Sequence, residues 1–310
     1  MMHSSRSSLS GVCMPGTIKI PAVSLPASSS PVTKALPRGT VLVTGASSGI
    51  GWETVLMLAR QGAIVFAASR TIGQKLAQAQ LEPAMQRMIH AIELDILDEK
   101  SCAAAVTTVL DHKGHLDALV HCAGTGLAGS IEEIPLADAV WQYDNLLFGT
   151  IRMLRAVLPR MRHQGHGRII LVTSVAATIP VPFQTYYSSA KAAVQALALG
   201  LSDEVRPFGI KVTIVAPGDT RTGFTEARRL AGSIDHSPYG ERLSRSVSRM
   251  ARDEQNGMAS QSIALAIVHE LSRKHPKLMV TPGLHNHAMT VAGRILPLPL
   301  VRWIVRLLYG

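Results

Sequence analysis

The run Thr40-Val41-Leu42-Val43-Thr44, followed at once by Gly45-Ala46-Ser47-Ser48-Gly49-Ile50-Gly51, constrains this chain more than any other segment. A β-branched and apolar run of this length, without alternation, reads as a parallel strand buried on both faces. Residues 52–61 continue with the spacing of an amphipathic helix, and Gly62 stands in the stop position. Strand, glycine-rich turn and helix open a dinucleotide-binding unit. Glycine permits the tight turn and lets backbone approach phosphate, while the helix N-terminus offers amide donors and a positive dipole end to a pyrophosphate. A glycine turn that merely ends a strand is the plainer reading, and the flanking strand and helix weigh against it.

The same alternation runs on. Ala63 to Ala68, Arg87 to Leu94, Asp117 to His121, Arg168 to Thr173, Ile210 to Ala216 and Lys277 to Val280 read as further strands. Long helical patterns fill the gaps, notably Pro135 to Arg162 and Phe183 to Arg206. The fold class is α/β: a doubly wound parallel sheet of about seven strands with helices on both faces and the ligand at the carboxyl ends of the strands.

Composition bounds the rest. With 310 residues and 47% hydrophobic content, the chain can bury one substantial core. Residues 38–280 form the expected catalytic domain, 281–310 a basic apolar tail, and 1–37 a disordered extension or the product of a start codon placed upstream of the true one. The net charge of +10 is confined to the ends: residues 1–52 and 271–310 carry four and six cations and no acid. The middle is balanced and lacks a basic-aromatic pattern, so nucleic-acid binding is disfavoured. Cys13, Cys102 and Cys122 lack metal-ligand spacing, and His285-Asn286-His287 has no thiol or carboxylate beside it, so no metal is expected. The absence of an apolar leader and of an eighteen-residue apolar run disfavours secretion and a membrane span, leaving a cytoplasmic protein as the expectation.

The chemistry lies in residues 174–191. Tyr187 and Lys191 stand four apart and share one helical face, and Ser174 precedes them at a strand end. A free phenol has a pKa of about 10 and is a poor acid or base at neutral pH. An ammonium held beside it favours the phenolate and lowers that value. Hydroxyl, phenol and ammonium can then act on one carbonyl.

Taken together these segments resemble the short-chain dehydrogenase/reductase family over roughly residues 38–280, a Rossmann-type fold. Thr44 to Gly51 is similar to the family's cofactor loop, which implies contacts from Gly45, Ser47, Ser48, Gly49, Ile50 and Gly51. Leu94-Asp95-Ile96 resembles the segment whose Asp contacts adenine. His121-Cys122-Ala123-Gly124 resembles Asn-Asn-Ala-Gly, with Cys122 the clearest departure, at a position that mainly steadies the central strand. Pro217-Gly218-Asp219-Thr220-Arg221-Thr222 resembles the loop whose Thr reaches the nicotinamide amide. The resemblance implies that Asn145 anchors a water of a proton relay, and that Lys191 also holds the nicotinamide ribose beside Tyr187.

Ser69-Arg70, just after the second strand, sets the cofactor. A basic residue there takes a 2′-phosphate where an acid would take the ribose hydroxyls, so NADP(H) is preferred, with NAD(H) as the alternative. Val175 to Phe183 is an apolar loop beside the site, and residues 223–258 suit a mobile lid. A lipophilic ketone or alcohol of steroid, retinoid or acyl type is the expected substrate. A polar or 3-oxoacyl substrate, and a non-catalytic cofactor sensor or scaffold, stand as alternatives, and a homo-oligomer is expected. The tail from Ile295 to Leu308 is apolar with Arg302 and Arg306 on one side. It either docks on its own domain to close the pocket or lies in a membrane interface.

Overall fold

The computed structural model describes residues 39–231 and 237–310; the expected extension over 1–37 lies outside the described residues. Seven strands, β1 (Thr40–Thr44), β2 (Ile64–Ala68), β3 (Ile89–Ile92), β4 (Ala118–His121), β5 (Gly167–Val172), β6 (Ile210–Val215) and β7 (Met279–Val280), form one sheet. Their order is β3-β2-β1-β4-β5-β6-β7, every pairing parallel. The chain winds outward from β1 to β3, then crosses over and winds outward again from β4 to β7. Thr44 pairs with His121 at that reversal, which opens a crevice beyond the carboxyl ends of β1 and β4.

Successive side chains of a strand point to opposite faces, and both faces of this sheet are covered. On one, Leu42, Phe66 and Leu119 pack with helices α2 (Glu99–Lys113), α4 (Gly149–Gln164) and α5 (Thr185–Val205). On the other, Val41, Val43 and Val120 pack with α1 (Gly49–Arg60) and α7 (Ser260–Ser272). All six of those strand side chains are 0% exposed. Burial of each large aliphatic or aromatic side chain contributes about 1.5–3 kcal/mol, which holds the sheet fixed under the site.

Two segments differ from the sequence expectation, and the tail is helical. Residues 135–162 are not one helix: α3 (Leu136–Tyr143) passes through a π-helical turn, Asp144–Phe148, before α4 begins. Residues 223–258, expected as a lid with few local signals, contain α6 (Gly240–Gln255), whose Leu243 and Met250 are buried beside Phe183. The tail forms two helices, α8 (Leu284–Ile295) and α9 (Leu298–Tyr309). Pro297 caps the second, because its ring fixes φ at the helix entrance without requiring an N–H donor. No helix among the described residues is long and apolar enough to cross a membrane.

The turn between β1 and α1 leaves no room for a side chain: a Cβ on Gly51 would be driven into the Gly45 carbonyl oxygen. Because the obstacle is backbone, Gly51→Ala should cost about 1–3 kcal/mol. Chemical denaturation checks this; an unchanged midpoint would mean that the turn and α1 can separate freely.

Candidate active site

The cofactor cleft starts from a close backbone approach. Gly45 has φ 66°, and a Cβ there would stand 2.7 Å from the Ala123 nitrogen. Thr44 ties the two strand ends together. Its hydroxyl shares a 2.8 Å hydrogen bond with His121 Nδ1 and accepts the Ala123 N–H at 3.4 Å. Burial pushes His121 down to about 3, so it stays neutral. Cys122, where the family has an Asn, is pushed up to about 12 by burial and stays a thiol. Thr44 and His121 do the steadying at this strand end.

The cleft has a volume of about 390 Å³. Gly45, Ser47, Ser48, Gly49, Ile50 and Gly51 line its floor, Ser69 and Arg70 one end, and Asp95, Ile96, Ala123, Gly124, Asn145 and Thr222 the remainder. A dinucleotide fits these residues. The buried Ser69 hydroxyl has no hydrogen-bond partner among the described residues. Arg70 is exposed and meets no carboxylate among them. Asp95 is engaged locally, its Oδ1 accepting the Leu97 N–H at 3.0 Å.

A second cavity, about 970 Å³, adjoins the first, and Ile50, Cys122, Gly124, Val172, Thr222 and Phe224 line both. Ser174, Tyr187, Lys191, Pro217, Gly218 and Thr220 line this larger one. Ser174 follows the end of β5 and caps a 3₁₀ turn, Val175–Ala177, accepting the Ala176 N–H at 3.1 Å. Tyr187 and Lys191 lie one turn apart near the start of α5, and both are buried. Lys191 Nζ donates to the Val172 carbonyl at 2.9 Å and lies 5.9 Å from the centre of the Tyr187 ring.

Asn145 sits inside the π-helical turn, where its Oδ1 accepts the Thr125 N–H at 3.1 Å. A single π turn within a helix re-aims one side chain and recurs at functional sites. Helical periodicity alone carries no sign of it.

The electrostatics differ from the sequence expectation. Burial pushes Tyr187 up to about 12, while a hydrogen bond with Ser174 pulls the other way. Burial pushes Lys191 down to about 8. The ammonium does not lower the phenol, because desolvation penalises the charged form of each group.

Sequence reasoning missed several wall residues. Phe224 packs on Tyr187 with centroids 5.5 Å apart. Asp219, Arg249, Asp253, Glu254 and Tyr309 form a polar wall of the larger cavity. Asp219 is pushed up to about 6 by partial burial and by the carboxylates of Asp253 and Glu254. Arg249 Nε donates to Asp253 Oδ2 at 2.8 Å, Tyr309 donates to the same oxygen at 3.2 Å, and the buried Arg228 pairs with Glu254. These residues come from four separate segments, so no local spacing announces them. The same cavity is lined by apolar side chains that include Val175, Ile179, Val181, Met289, Val301 and Val305.

The short chain dehydrogenase family model matches residues 39–231. A 3-ketodihydrosphingosine reductase of Bacteroides thetaiotaomicron is 32% identical over 244 residues, covering 78% of this chain and 87% of that protein. Human 17-beta-hydroxysteroid dehydrogenase type 1 is 33% identical over 195 residues, covering 61% of this chain and 59% of its own. A crystal structure of a short-chain dehydrogenase from Streptomyces avermitilis superposes with a TM-score of 0.71 at 28% identity, covering 87% of this chain and 96% of that one. With this sheet order, a nucleotide cleft at the β1–β4 crevice, and a serine, tyrosine and lysine gathered beside it, the chain belongs to the short-chain dehydrogenase family: it is an oxidoreductase of hydroxyl and carbonyl groups that uses a nicotinamide dinucleotide.

Proposed function

We propose that this oxidoreductase uses NADP(H) and acts on a lipophilic ketone or the corresponding alcohol that carries a polar head. The observation that carries the proposal is the larger cavity: about 970 Å³, lined largely by apolar side chains with a polar cluster of Asp219, Arg249, Asp253 and Glu254, and continuous with the cofactor cleft. Apolar lining favours a hydrocarbon body, and a few placed polar groups fix its orientation. Asp253 and Glu254 are paired with Arg249 and Arg228, which leaves Asp219, without an ion-pair partner among the described residues, to favour a head that donates a hydrogen bond. The relatives named for 3-ketodihydrosphingosine and for hydroxysteroids support a lipid substrate class. A homo-oligomer belongs to the same reading, since Leu136, Val140 and Phe148 leave apolar side chains at the surface that a second copy would cover.

The bound dinucleotide supplies the hydride, and this chain's residues manage the oxygen and its proton. Ser174 donates a hydrogen bond to the substrate oxygen and holds it beside Tyr187. Tyr187 gives that oxygen a proton in reduction and removes it in oxidation. Its burial keeps the phenol neutral at neutral pH, the state a proton donor requires. Lys191, held by the Val172 carbonyl, positions the nicotinamide ribose. Asn145 holds the end of a water path that returns the proton to solvent.

Tyr187→Phe removes only the phenolic hydroxyl. Turnover should fall at least a thousandfold, about 4 kcal/mol, while NADPH still binds by fluorescence titration. Turnover within a few-fold of wild type would take Tyr187 out of the reaction.

Oxidation needs the phenolate and reduction the phenol. With the phenol at about 12, the phenolate fraction rises about tenfold per pH unit below that value. Alcohol oxidation should therefore climb between about pH 7 and 9, with no matching climb in ketone reduction. A flat oxidation profile would mean that ligand binding lowers the phenol into the neutral range.

Arg70→Asp sets a carboxylate at the adenosine end of the cleft. A charge-assisted hydrogen bond is worth about 1.5–3 kcal/mol, so the ratio of NADPH to NADH affinity should fall by about tenfold or more. If that ratio stays put, Arg70 does not read the 2′-phosphate.

A further inference from the structure

Helix α9 presents two apolar faces where a docked terminal helix needs one. Its inner face, Val301 and Val305, is buried and lines the substrate cavity. Its outer face is apolar too: Leu300 is 42%, Trp303 53% and Leu307 66% exposed, and none of the three lines the cavity. Their spacing of three and four residues sets them on one stripe. Leu298 and Ile295, 70% and 75% exposed, extend that surface toward α8.

The cavity opens into this surface. Leu284, Leu296, Ile304 and Leu308 line the cavity and are also exposed to solvent. Leu284, Leu296, Ile304 and Leu308 therefore give a hydrocarbon apolar contacts where the cavity meets the surface.

Charge selects the occupant. Residues 271–310 hold six cations and no acid. Arg294, Arg302 and Arg306 flank the apolar surface and meet no carboxylate among the described residues. Arg302 is held by donating to the Pro180 carbonyl at 2.8 Å, which fixes α9 to the loop over the active site. A second copy meeting the same face would bring these arginines against their own equivalents. The first 38 residues are basic and acid-free as well, so they are repelled in the same way. A surface that is apolar inside and negative outside satisfies both features: the headgroup layer of an anionic bilayer, with Trp303 at the boundary and the arginines among the phosphates.

We propose that the outer face of α9 docks this enzyme on anionic lipid, with the cavity mouth against the bilayer, so that a membrane-held ketone enters without crossing water. The proposal rests on the lipophilic-substrate reading, and its test is kept apart from turnover. Full-length protein is mixed with vesicles of phosphatidylcholine alone or with phosphatidylserine, sedimented at low and high salt, and compared with the double variant Trp303→Glu, Leu307→Glu. Both substituted positions lie at the surface outside the cavity. Wild type should sediment with the anionic vesicles at least tenfold more than with the neutral ones, and high salt should release it. The variant should lose at least tenfold in vesicle binding, yet bind NADPH and turn over a small soluble ketone as wild type does. No binding by wild type, or equal binding by the variant, overturns the proposal. So does a dimer that the variant splits while vesicle binding is absent, because the occupant is then a second copy. Vesicle binding without turnover of any carbonyl would instead remove the substrate reading and leave the docking face standing.

Discussion

Two strand ends lying against each other with no side chain between them set the geometry of everything else. Gly45 at φ 66° and the Ala123 nitrogen occupy space that any Cβ would claim. That approach brings the carboxyl end of β1 against the carboxyl end of β4, where the winding direction reverses. The nucleotide cleft is the gap this leaves. Thr44 and His121 hold the gap at fixed width through a buried hydrogen bond. A protonated histidine here would place a second cation near Lys191, but burial holds it neutral. The scaffold therefore supplies shape at this point and leaves the positive charge to one residue.

That lysine and its tyrosine obey the same constraint. Removing both from water pushes the phenol up to about 12 and the ammonium down to about 8. Each shift disfavours a charged form, so the site resists the ion pair that the four-residue spacing suggested. Spacing fixes which groups share a face; it does not fix the dielectric around them. The Val172 carbonyl accepts one N–H of Lys191 and holds the amine in place. That tie fixes the amine relative to the end of β5, and a fixed placement of this kind is what positioning a reacting oxygen demands.

How much of this was legible in the sequence follows from range. The seven strands were readable because each centres on aliphatic residues with at most a few polar ones among them, and the cofactor loop because its glycines sit together. Ends were less exact: the expected third strand, residues 87–94, is paired only over Ile89–Ile92, since it is an edge with a partner on one side. The π turn at Asn145 was not readable, because one extra residue per turn leaves the apolar pattern of residues 135–162 nearly intact. Helix α6 was missed because its exposed face is full of serine and arginine and resembles a loop in composition. The polar wall joins residue 219 to residues 249–254 and 309, and no local window holds all of them.

The same division separates chemistry from specificity. The family model ends at residue 231, and α6, α8 and α9, which lie beyond it, supply a large part of the cavity lining beside Val175, Ile179, Val181 and Asp219. The sheet ends cannot be altered without moving Ser174 or the cofactor turn, so they are poor places to tune substrate choice. Helices α6 and α9 meet that core through few polar ties, among them Arg302 to the Pro180 carbonyl and Glu254 to Arg228, while Tyr309 to Asp253 joins the two helices to each other. Few ties allow the wall to vary while the catalytic groups stay fixed. Human 17-beta-hydroxysteroid dehydrogenase type 1 fits this view, since its match spans 61% of the chain and 59% of its own length. Likeness to that protein therefore supports a shared reaction more firmly than a shared substrate. The wall of the larger cavity is this chain's own: Val301 and Val305 of α9 line it together with Asp219 and the arginine-paired Asp253 and Glu254.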